Sequence, residues 1–144
     1  MRQMRLLAAL LLLMTLFSFA QDNDAHRKLK YSVLYADSEG ITHFRDEYLS
    51  WNDSGDGFST TPLENAKQIG FLRTQAGKNF DWHPAPSKQF VMILEGIMEV
   101  EAGDGERRVF TPGSILLVTD TKGRGHRTNN LGDQPIFVVW VPVP

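Results

Sequence analysis

Short apolar stretches alternate with turn residues along most of this chain. Turn signals such as "DSEG", "NDSGDG" and "TPG" separate stretches that have the length of β-strands. Several short strands with regularly spaced turns indicate an all-β sandwich or barrel. The predicted strands lie at 31–36, 41–51, 69–75, 89–96, 97–103, 107–110, 114–119 and 135–144.

Two consecutive stretches carry more detail. The run 90–94, "FVMIL", is apolar at every position, so we expect a strand that is buried on both faces. The run 97–102, "IMEVEA", places Met98 and Val100 on one face and Glu99 and Glu101 on the other, as in a strand with one wetter face. Because little more than Glu95-Gly96 separates the two runs, the pattern predicts a tight hairpin whose first strand is central.

One segment has helical signals. In "TPLENAKQ", 61–68, Thr61 could cap a helix, Pro62 suits its first turn, and Glu64 stands where a capping box needs an acidic residue. We therefore expect one short helix at most.

The first twenty residues have the composition of a secretory signal peptide. Arg2 and Arg5 precede an uncharged run, and Ser18 and Ala20 supply the small residues beside a cleavage site. A retained membrane anchor is the alternative, although this run is shorter than the roughly 20 apolar residues that span a bilayer. We predict a signal peptide at 1–20 with cleavage after Ala20, a secreted or periplasmic protein with no membrane attachment afterwards, a flexible lead-in at 21–30, and one domain at 31–144.

Charge and cysteine content narrow the class of protein. Without the signal peptide, 13 Lys and Arg face 17 Asp and Glu, so the net charge falls from −2 to −4. This mild acidity argues against a nucleic-acid partner, which requires a basic face. The chain has no cysteine, so an exported fold must rest on its hydrophobic core rather than on disulfides.

Two blocks between about residues 80 and 130 resemble the cupin superfamily, whose members are small jelly-roll (double-stranded β-helix) barrels. In "HPAPSKQFVMILEG", His83 and Gly96 match the first cupin motif, whereas Ala85 replaces its second histidine and Gln89 replaces its glutamate. In "FTPGSILLVTDTKGRGHRTNN", the Pro112-Gly113 turn and His126 match the second motif, with Asn130 four positions later. The stretches "DWHPAP" and "GHRT" resemble a group of small single-domain cupins whose members share these departures from the two motifs. The resemblance implies an all-β jelly-roll barrel with a candidate site but no settled reaction.

In metal-binding cupins, three histidines and a carboxylate converge inside the barrel. The resemblance therefore implies a candidate metal site at His83, Gln89 and His126, for one divalent transition metal (Fe, Mn, Ni, Zn or Cu). The loss of one imidazole at Ala85 and of the negative charge at Gln89 weakens such a site, so a barrel without metal is an equal alternative.

Without a metal, His83 and His126 could face one another across the barrel as acid, base or hydrogen-bond donors, since the pKa of histidine lies near neutrality. Both histidines could instead be polar residues with a purely structural role. Of the other histidines, His26 lies in the lead-in, and His43 falls on a predicted strand, where a structural or surface role is favoured.

Three further residues are candidates for ligand binding. Trp82 could stack on a planar ligand or simply pack at the barrel mouth. Arg124, in the glycine-containing "TKGRGHR", could attract a carboxylate or phosphate, or belong to a solvated loop. Asn130 could orient the loop or the cavity by hydrogen bonds.

Three functions remain open on this sequence, of which the third, a purely structural secreted β-domain, leaves the paired histidines unexplained. The first is a small-molecule enzyme of the oxygenase, isomerase or epimerase type centred on His83, Gln89 and His126, with the two histidines catalytic and Gln89 binding the ligand. The second is a metal-free module that binds or senses a small molecule in the same cavity. Because the terminal stretch "FVVWVPVP" is apolar enough to join a neighbouring copy, we also expect a homodimer.

Overall fold

The computed structural model describes residues 28–144. The predicted signal peptide and most of the predicted lead-in, including His26, lie outside the described residues. Within this range the chain forms twelve strands: β1 Lys30–Ala36, β2 Thr42–Tyr48, β3 Asn52–Asp53, β4 Ser59–Thr60, β5 Gly70–Thr74, β6 Phe80–His83, β7 Gln89–Glu95, β8 Met98–Glu101, β9 Arg107–Phe110, β10 Ile115–Val118, β11 His126–Asn130 and β12 Ile136–Pro142.

The strands form two principal sheets. The larger has the order β2-β1-β10-β7-β12-β5, the smaller has the order β6-β11-β8-β9, and β3 and β4 form a separate ribbon. All pairings are antiparallel except that of β1 with β10, which is parallel. Buried residues of both sheets join in one core, which includes Leu34, Ile93 and Leu116 from the larger sheet and Val100 and Phe110 from the smaller. The all-β jelly-roll prediction is therefore confirmed.

The predicted hairpin between 89–96 and 97–103 is wrong. β7 belongs to the larger sheet and β8 to the smaller, so the chain crosses from one sheet to the other between them. Gly96 makes this crossing with φ of 84°. A Cβ at this position would lie 2.7 Å from the carbonyl oxygen of Pro135, so only glycine fits. The sequence correctly indicated that the chain turns at Glu95-Gly96. A turn of this kind can connect two strands of one hairpin or two strands of different sheets.

β7 is central, as predicted, because it pairs with β10 on one side and β12 on the other. Its burial is less complete than predicted. Ile93 faces the core and is 2 % exposed, whereas its neighbour Leu94, on the opposite face, is 48 % exposed. The next strand agrees with its pattern, since Met98 and Val100 are buried and Glu99 is only partly covered.

The structure contains no helix between residues 28 and 144, which agrees with the expectation of one short helix at most, and the segment 61–68 does not become helical despite its capping signals. The capping signals of this segment are local, and a helix of about two turns is unstable in water unless it buries an apolar face. Leu63 is 97 % exposed, so the segment has no such face. Consistently, none of the described residues belongs to an apolar helix of membrane-spanning length.

Candidate functional site

His83 and His126 lie side by side on neighbouring strands of the smaller sheet. His83 ends β6, His126 begins β11, and the two residues are directly opposite each other in the strand pairing. Their ring centroids are 4.6 Å apart with an angle of 53° between the planes. The two imidazoles are therefore in contact along one wall, rather than facing each other from opposite sides of the barrel.

Each imidazole is held through its Nδ1 atom. His83 Nδ1 lies 2.6 Å from the carbonyl oxygen of Asp81, and His126 Nδ1 lies 2.7 Å from Oδ2 of Asp120. A carbonyl oxygen and a carboxylate can only accept, so Nδ1 donates in both rings. This arrangement leaves Nε2 of each imidazole as the atom that can act on a ligand or on the other ring.

Asp120 is the site residue that the sequence analysis missed. It follows β10 and has no exposed surface, while its partner His126 is 8 % exposed. One carboxylate oxygen, Oδ1, is buried without a hydrogen-bond partner. Six positions separate Asp120 from His126, and this acid inside "DTKGRGH" is the signal that could have indicated it. A buried carboxylate that accepts from Nδ1 of an imidazole fixes the orientation and the tautomer of the ring.

The loop between β10 and β11 reaches His83 because Gly125 has no side chain. Gly125 has φ of 78°, and a Cβ there would lie 2.0 Å from the carbonyl oxygen of His83. The Gly125 carbonyl oxygen accepts a hydrogen bond of 2.8 Å from the buried Thr42 hydroxyl. On the other side, the backbone N–H of Ala85 donates to the Asp120 carbonyl at 3.1 Å. These contacts bring the two histidine-bearing segments together.

A cavity of about 340 Å³ opens between the two sheets beside His83. Its size is at the lower end of the range of roughly 300 to 1,000 Å³ found for small-molecule sites. Most of the wall is apolar, and a few polar groups interrupt it. The lining residues are Leu72, Thr74, Lys78, Phe80, His83, Pro86, Gln89, Val91, Met98, Thr128, Ile136, Val138 and Trp140.

Gln89 lies in the cavity wall and holds Trp140. The indole Nε1–H of Trp140 donates to Oε1 of Gln89. Since the indole nitrogen can only donate, the amide oxygen of Gln89 is the atom engaged. The NH₂ group is then the end of the Gln89 side chain that can contact a ligand.

Trp82 and Arg124 contact each other and are not among the residues that line the cavity. The Arg124 guanidinium carbon lies 3.7 Å from the centre of the Trp82 ring, and that of Arg127 lies 5.3 Å from it. Arg127 also reaches the exposed carboxylate of Asp81 at 3.3 Å. The hydrogen bond from the backbone N–H of Trp82, followed by that from the Arg127 side chain, lowers the pKa of Asp81. Ligand binding by Trp82 and Arg124 stays a prediction, for a surface beside His83 rather than for the cavity.

Asn130 is buried at the end of β11 and holds two loops, the one between β5 and β6 and the one between β11 and β12. Its Nδ2 donates to the carbonyl oxygens of Gln75 at 3.2 Å and Gln134 at 2.9 Å, and its Oδ1 accepts from the N–H of Gly132. This network orients loops beside the barrel, one of the two roles considered for the residue. Asn130 is not among the cavity-lining residues, and its binding of a ligand stays a prediction.

His43 lies on β2, as predicted, and forms a separate ionic cluster. Its two ring nitrogens contact Asp37 at 2.9 Å and Asp104 at 2.7 Å. The hydrogen bond to Asp37, followed by that to Asp104, raises the pKa of His43. His43 joins the β1–β2 turn to the β8–β9 turn and does not line the cavity.

The side chains of the predicted metal site do not make a complete donor set. His83 and His126 each leave one imidazole nitrogen, but the Gln89 oxygen is engaged by Trp140. Within residues 28–144, no three His, Cys, Asp or Glu side chains are grouped so that they could hold a metal ion. Tightly held transition metals have three or more protein ligands. The donor set does not fit a resident metal, and metal binding at His83, Gln89 and His126 stays a prediction that this geometry does not favour.

The fold and the paired histidines of β6 and β11 define a small jelly-roll barrel with an internal cavity. The family model described as "Cupin domain" matches residues 70–142, about half of the chain. The chain therefore belongs to the cupin family, and it has a barrel cavity that suits a small molecule.

Several solved structures are similar to this chain in fold. A cupin domain from Bordetella pertussis is 17% identical, with 57% of this chain and 92% of that one covered and a TM-score of 0.43. A protein with a double-stranded β-helix domain from Klebsiella pneumoniae is 20% identical, with 65% and 81% covered and a TM-score of 0.44. The Cnp3 cupin domain of Schizosaccharomyces pombe is 14% identical, with 88% of each chain covered and a TM-score of 0.43. No curated protein matches the chain significantly.

Proposed function

We propose that this cupin is exported and binds a small, mainly apolar molecule in its barrel cavity without a metal, with His83 as a polar contact. The observation that carries the proposal is the cavity of about 340 Å³, whose wall is apolar apart from a few polar groups that include His83. Apolar surface supplies affinity in such sites, and a few fixed polar groups supply orientation. Because Asp81 holds Nδ1 of His83, the ring offers a ligand its Nε2 atom in a defined orientation.

The binding test compares two neighbouring positions of β5. Leu72 lines the cavity, whereas Phe71 does not, and both side chains are exposed enough to accept a larger group. A library of small apolar compounds is screened by ligand-observed NMR, and hits are measured by calorimetry. Leu72→Trp should weaken the hits at least about tenfold, equivalent to roughly 1.4 kcal/mol, and Phe71→Trp should leave them unchanged. The proposal is contradicted if no compound shows saturable binding, or if the hits bind equally well to Leu72→Trp and Phe71→Trp.

Metal independence is tested on the same hits. Protein purified without chelators is assayed for bound metals, and binding is then repeated after chelator treatment. We expect a metal content far below one per chain and unchanged affinity. Near-stoichiometric metal, lost in both His83→Ala and His126→Ala, would instead support the metal site that the cupin resemblance implies.

A second function, acid–base catalysis of the isomerase type, is favoured by one specific contact. The buried Asp120 carboxylate holds His126, and the His126 ring contacts His83, which lies in the cavity wall. A carboxylate and two imidazoles in this order could hold a proton close to a bound ligand. If the hits include a substrate that the protein converts, turnover should fall at least about a hundredfold in His83→Gln. If the protein converts none of the hits that it binds, catalysis is contradicted and only the binding function remains.

Export rests on the sequence of the first twenty residues, which lie outside the described part of the chain. We propose that cleavage after Ala20 releases a chain that begins at Gln21. Mass spectrometry of the protein recovered from a secreting host measures the new terminus directly. A mass that still includes residues 1–20 would contradict cleavage.

A further inference from the structure

We infer that the ligand is a small carboxylic acid with an apolar body, bound with its carboxylate towards Lys78 and Thr74. This inference rests on the proposed binding function and assigns its ligand class. The first observation is the sign of charge in the wall. The residues that line the cavity include Lys78 and His83 but no aspartate or glutamate. Lys78 forms no ion pair within residues 28–144, so no protein carboxylate neutralises its charge there.

The second observation is a hydroxyl group without a partner. Thr74 lines the cavity at the end of β5, and its Oγ1 atom is buried with no hydrogen bond to the protein. A buried polar atom that lacks a partner costs free energy, which a ligand atom can recover. The Thr74 hydroxyl has almost no accessible surface as it stands, so a rotation about its Cα–Cβ bond is needed for it to meet a polar atom of a ligand in the cavity.

The third observation is that several polar groups of the wall can donate. Because Trp140 occupies the Gln89 oxygen, Gln89 offers its NH₂ group, and Lys78 offers an ammonium group. The hydroxyl groups of Thr74 and Thr128 can donate as well. A ligand group that accepts several hydrogen bonds and carries a negative charge satisfies this set, which is the description of a carboxylate.

The polar and apolar parts of the cavity also have an order. The ammonium nitrogen of Lys78 lies 5.7 Å from the centre of the Phe80 ring, and that ring lies 6.2 Å from the His83 ring. Lys78, Phe80 and His83 thus form one continuous wall, along the β5–β6 connection and β6. Val91, Val138 and Trp140 belong to the strands of the larger sheet and supply apolar wall. A molecule with one charged end and a compact apolar or aromatic body matches this division.

The experiment uses four probes with the same body: 3-phenylpropanoate, 3-phenylpropanamide, 3-phenylpropylamine and 2-phenylethyl phosphate. Each is titrated into the mature protein at low salt by calorimetry. We expect the carboxylate to bind about tenfold more tightly than the amide, the amine to bind most weakly, and the advantage of the carboxylate to shrink as sodium chloride is added. In Lys78→Gln the carboxylate and amide should bind nearly equally, whereas Lys67→Gln, which changes an exposed lysine outside the cavity, should keep the preference.

Thr74→Val separates ligand binding from a structural role. Because the Thr74 hydroxyl has no protein partner, this substitution should leave the melting temperature unchanged or raised, and should weaken the carboxylate about fivefold. A lowered melting temperature with unchanged affinity would overturn the assignment of Thr74 to the ligand.

The remaining outcomes distinguish this inference from the proposed function. Equal affinity for carboxylate and amide, or tighter binding of the amine, overturns the carboxylate assignment and leaves cavity binding intact. Tighter binding of the phosphate than of the carboxylate would assign a phosphate ester as the ligand class, and this result also overturns the carboxylate assignment. If none of these probes and no compound of the apolar library binds, the proposed function fails together with the inference.

Discussion

At the scale of single residues, the site depends on a close approach of two backbones. Gly125 lies against the carbonyl group of His83, and the next residue in the chain is His126. This contact therefore sets the position of the His126 backbone relative to His83, and with it the distance between the two rings. Asp120 and Thr42 then fix this loop by hydrogen bonds of 2.7 Å to His126 Nδ1 and 2.8 Å to the Gly125 carbonyl.

Gly125→Ala should destabilise the protein more than an ordinary glycine replacement in a turn. Its φ of 78° is costly for alanine, and the new Cβ would overlap the His83 carbonyl. We expect a loss of about 2 to 4 kcal/mol in the free energy of unfolding, which combines backbone strain with steric overlap. Urea denaturation measures this loss.

The matched control is Gly105→Ala. Gly105 has φ of 90°, but nothing lies within 4 Å of the position its Cβ would take. Gly105→Ala should therefore lower the free energy of unfolding by only about 1 kcal/mol, the cost of the backbone conformation alone. If both variants lose the same free energy, close packing against His83 does not explain Gly125.

At the scale of strands and loops, sequence periodicity predicted the long strands of the larger sheet well. Apolar runs such as 89–96 and 135–144 are long, and their burial in the core makes the pattern visible. β6 and β11 were missed as strands, because "FDWH" and "HRTNN" are rich in polar residues that serve the site and its loops. The site strands therefore lack the pattern by which strands are recognised.

The same reasoning explains which parts of the site were predicted. His83 and His126 lie in the two stretches that resemble the cupin motifs, so the sequence indicated both residues. The structure brings the two residues together. Asp120 was missed because an acidic residue after a strand is ordinarily a turn residue. Its complete burial comes from the folding of the β10–β11 loop against Ala85, a tertiary contact that local sequence does not show.

His43 links two turns from different sheets, and this link should depend on pH. The pKa of His43 is raised above its ordinary value of 6.5, and that of Asp37 is lowered below 3.8, in each case chiefly by the hydrogen bond between them. A raised histidine pKa stabilises the fold below 6.5, and this stabilisation is lost as pH rises through the folded pKa. A lowered aspartate pKa stabilises the fold above 3.8, and this stabilisation is lost as pH falls through the folded pKa.

His43→Gln should therefore lower the melting temperature most between about pH 4.5 and 6, and progressively less towards about pH 9. Thermal unfolding of both proteins across this range measures the difference. Lys30→Gln is the control, because it removes the surface ion pair of Lys30 with Asp46, which contains no histidine. A difference between parent and His43→Gln that does not change with pH would show that the cluster acts only by packing.

At the scale of the whole molecule, the structure changes the reason for expecting a homodimer. The terminal strand β12 lies between β5 and β7, so its edges are occupied and it cannot join a neighbouring copy as expected. The edge strands of the larger sheet are β2 and β5. β5 carries Phe71, which is 77 % exposed, and Leu72, which is 46 % exposed. An exposed apolar edge is the usual place where sheets of two copies join.

We expect light scattering to give twice the mass of the mature chain, with β5 at the interface. Phe71→Lys should shift the protein to the monomer mass, because a charged edge opposes pairing. Phe58→Lys changes a phenylalanine of similar exposure, 72 %, between β3 and β4 and should leave the dimer intact. A monomer mass for the parent protein at high concentration would rule out the homodimer.

The strands that precede the family match have a consequence for how this barrel can be divided or recombined. β1 pairs in parallel with β10, the Thr119 hydroxyl donates to the Leu34 carbonyl at 2.9 Å, and Thr42 holds the loop that carries His126. A fragment limited to residues 70–142 would contain both histidines. In that fragment β10 would become an edge strand, unpaired on one side, and the loop before His126 would lose its hydrogen bond from Thr42. The smallest unit that can be transferred to another protein, as a domain graft or a gene fusion, therefore begins at or before Lys30.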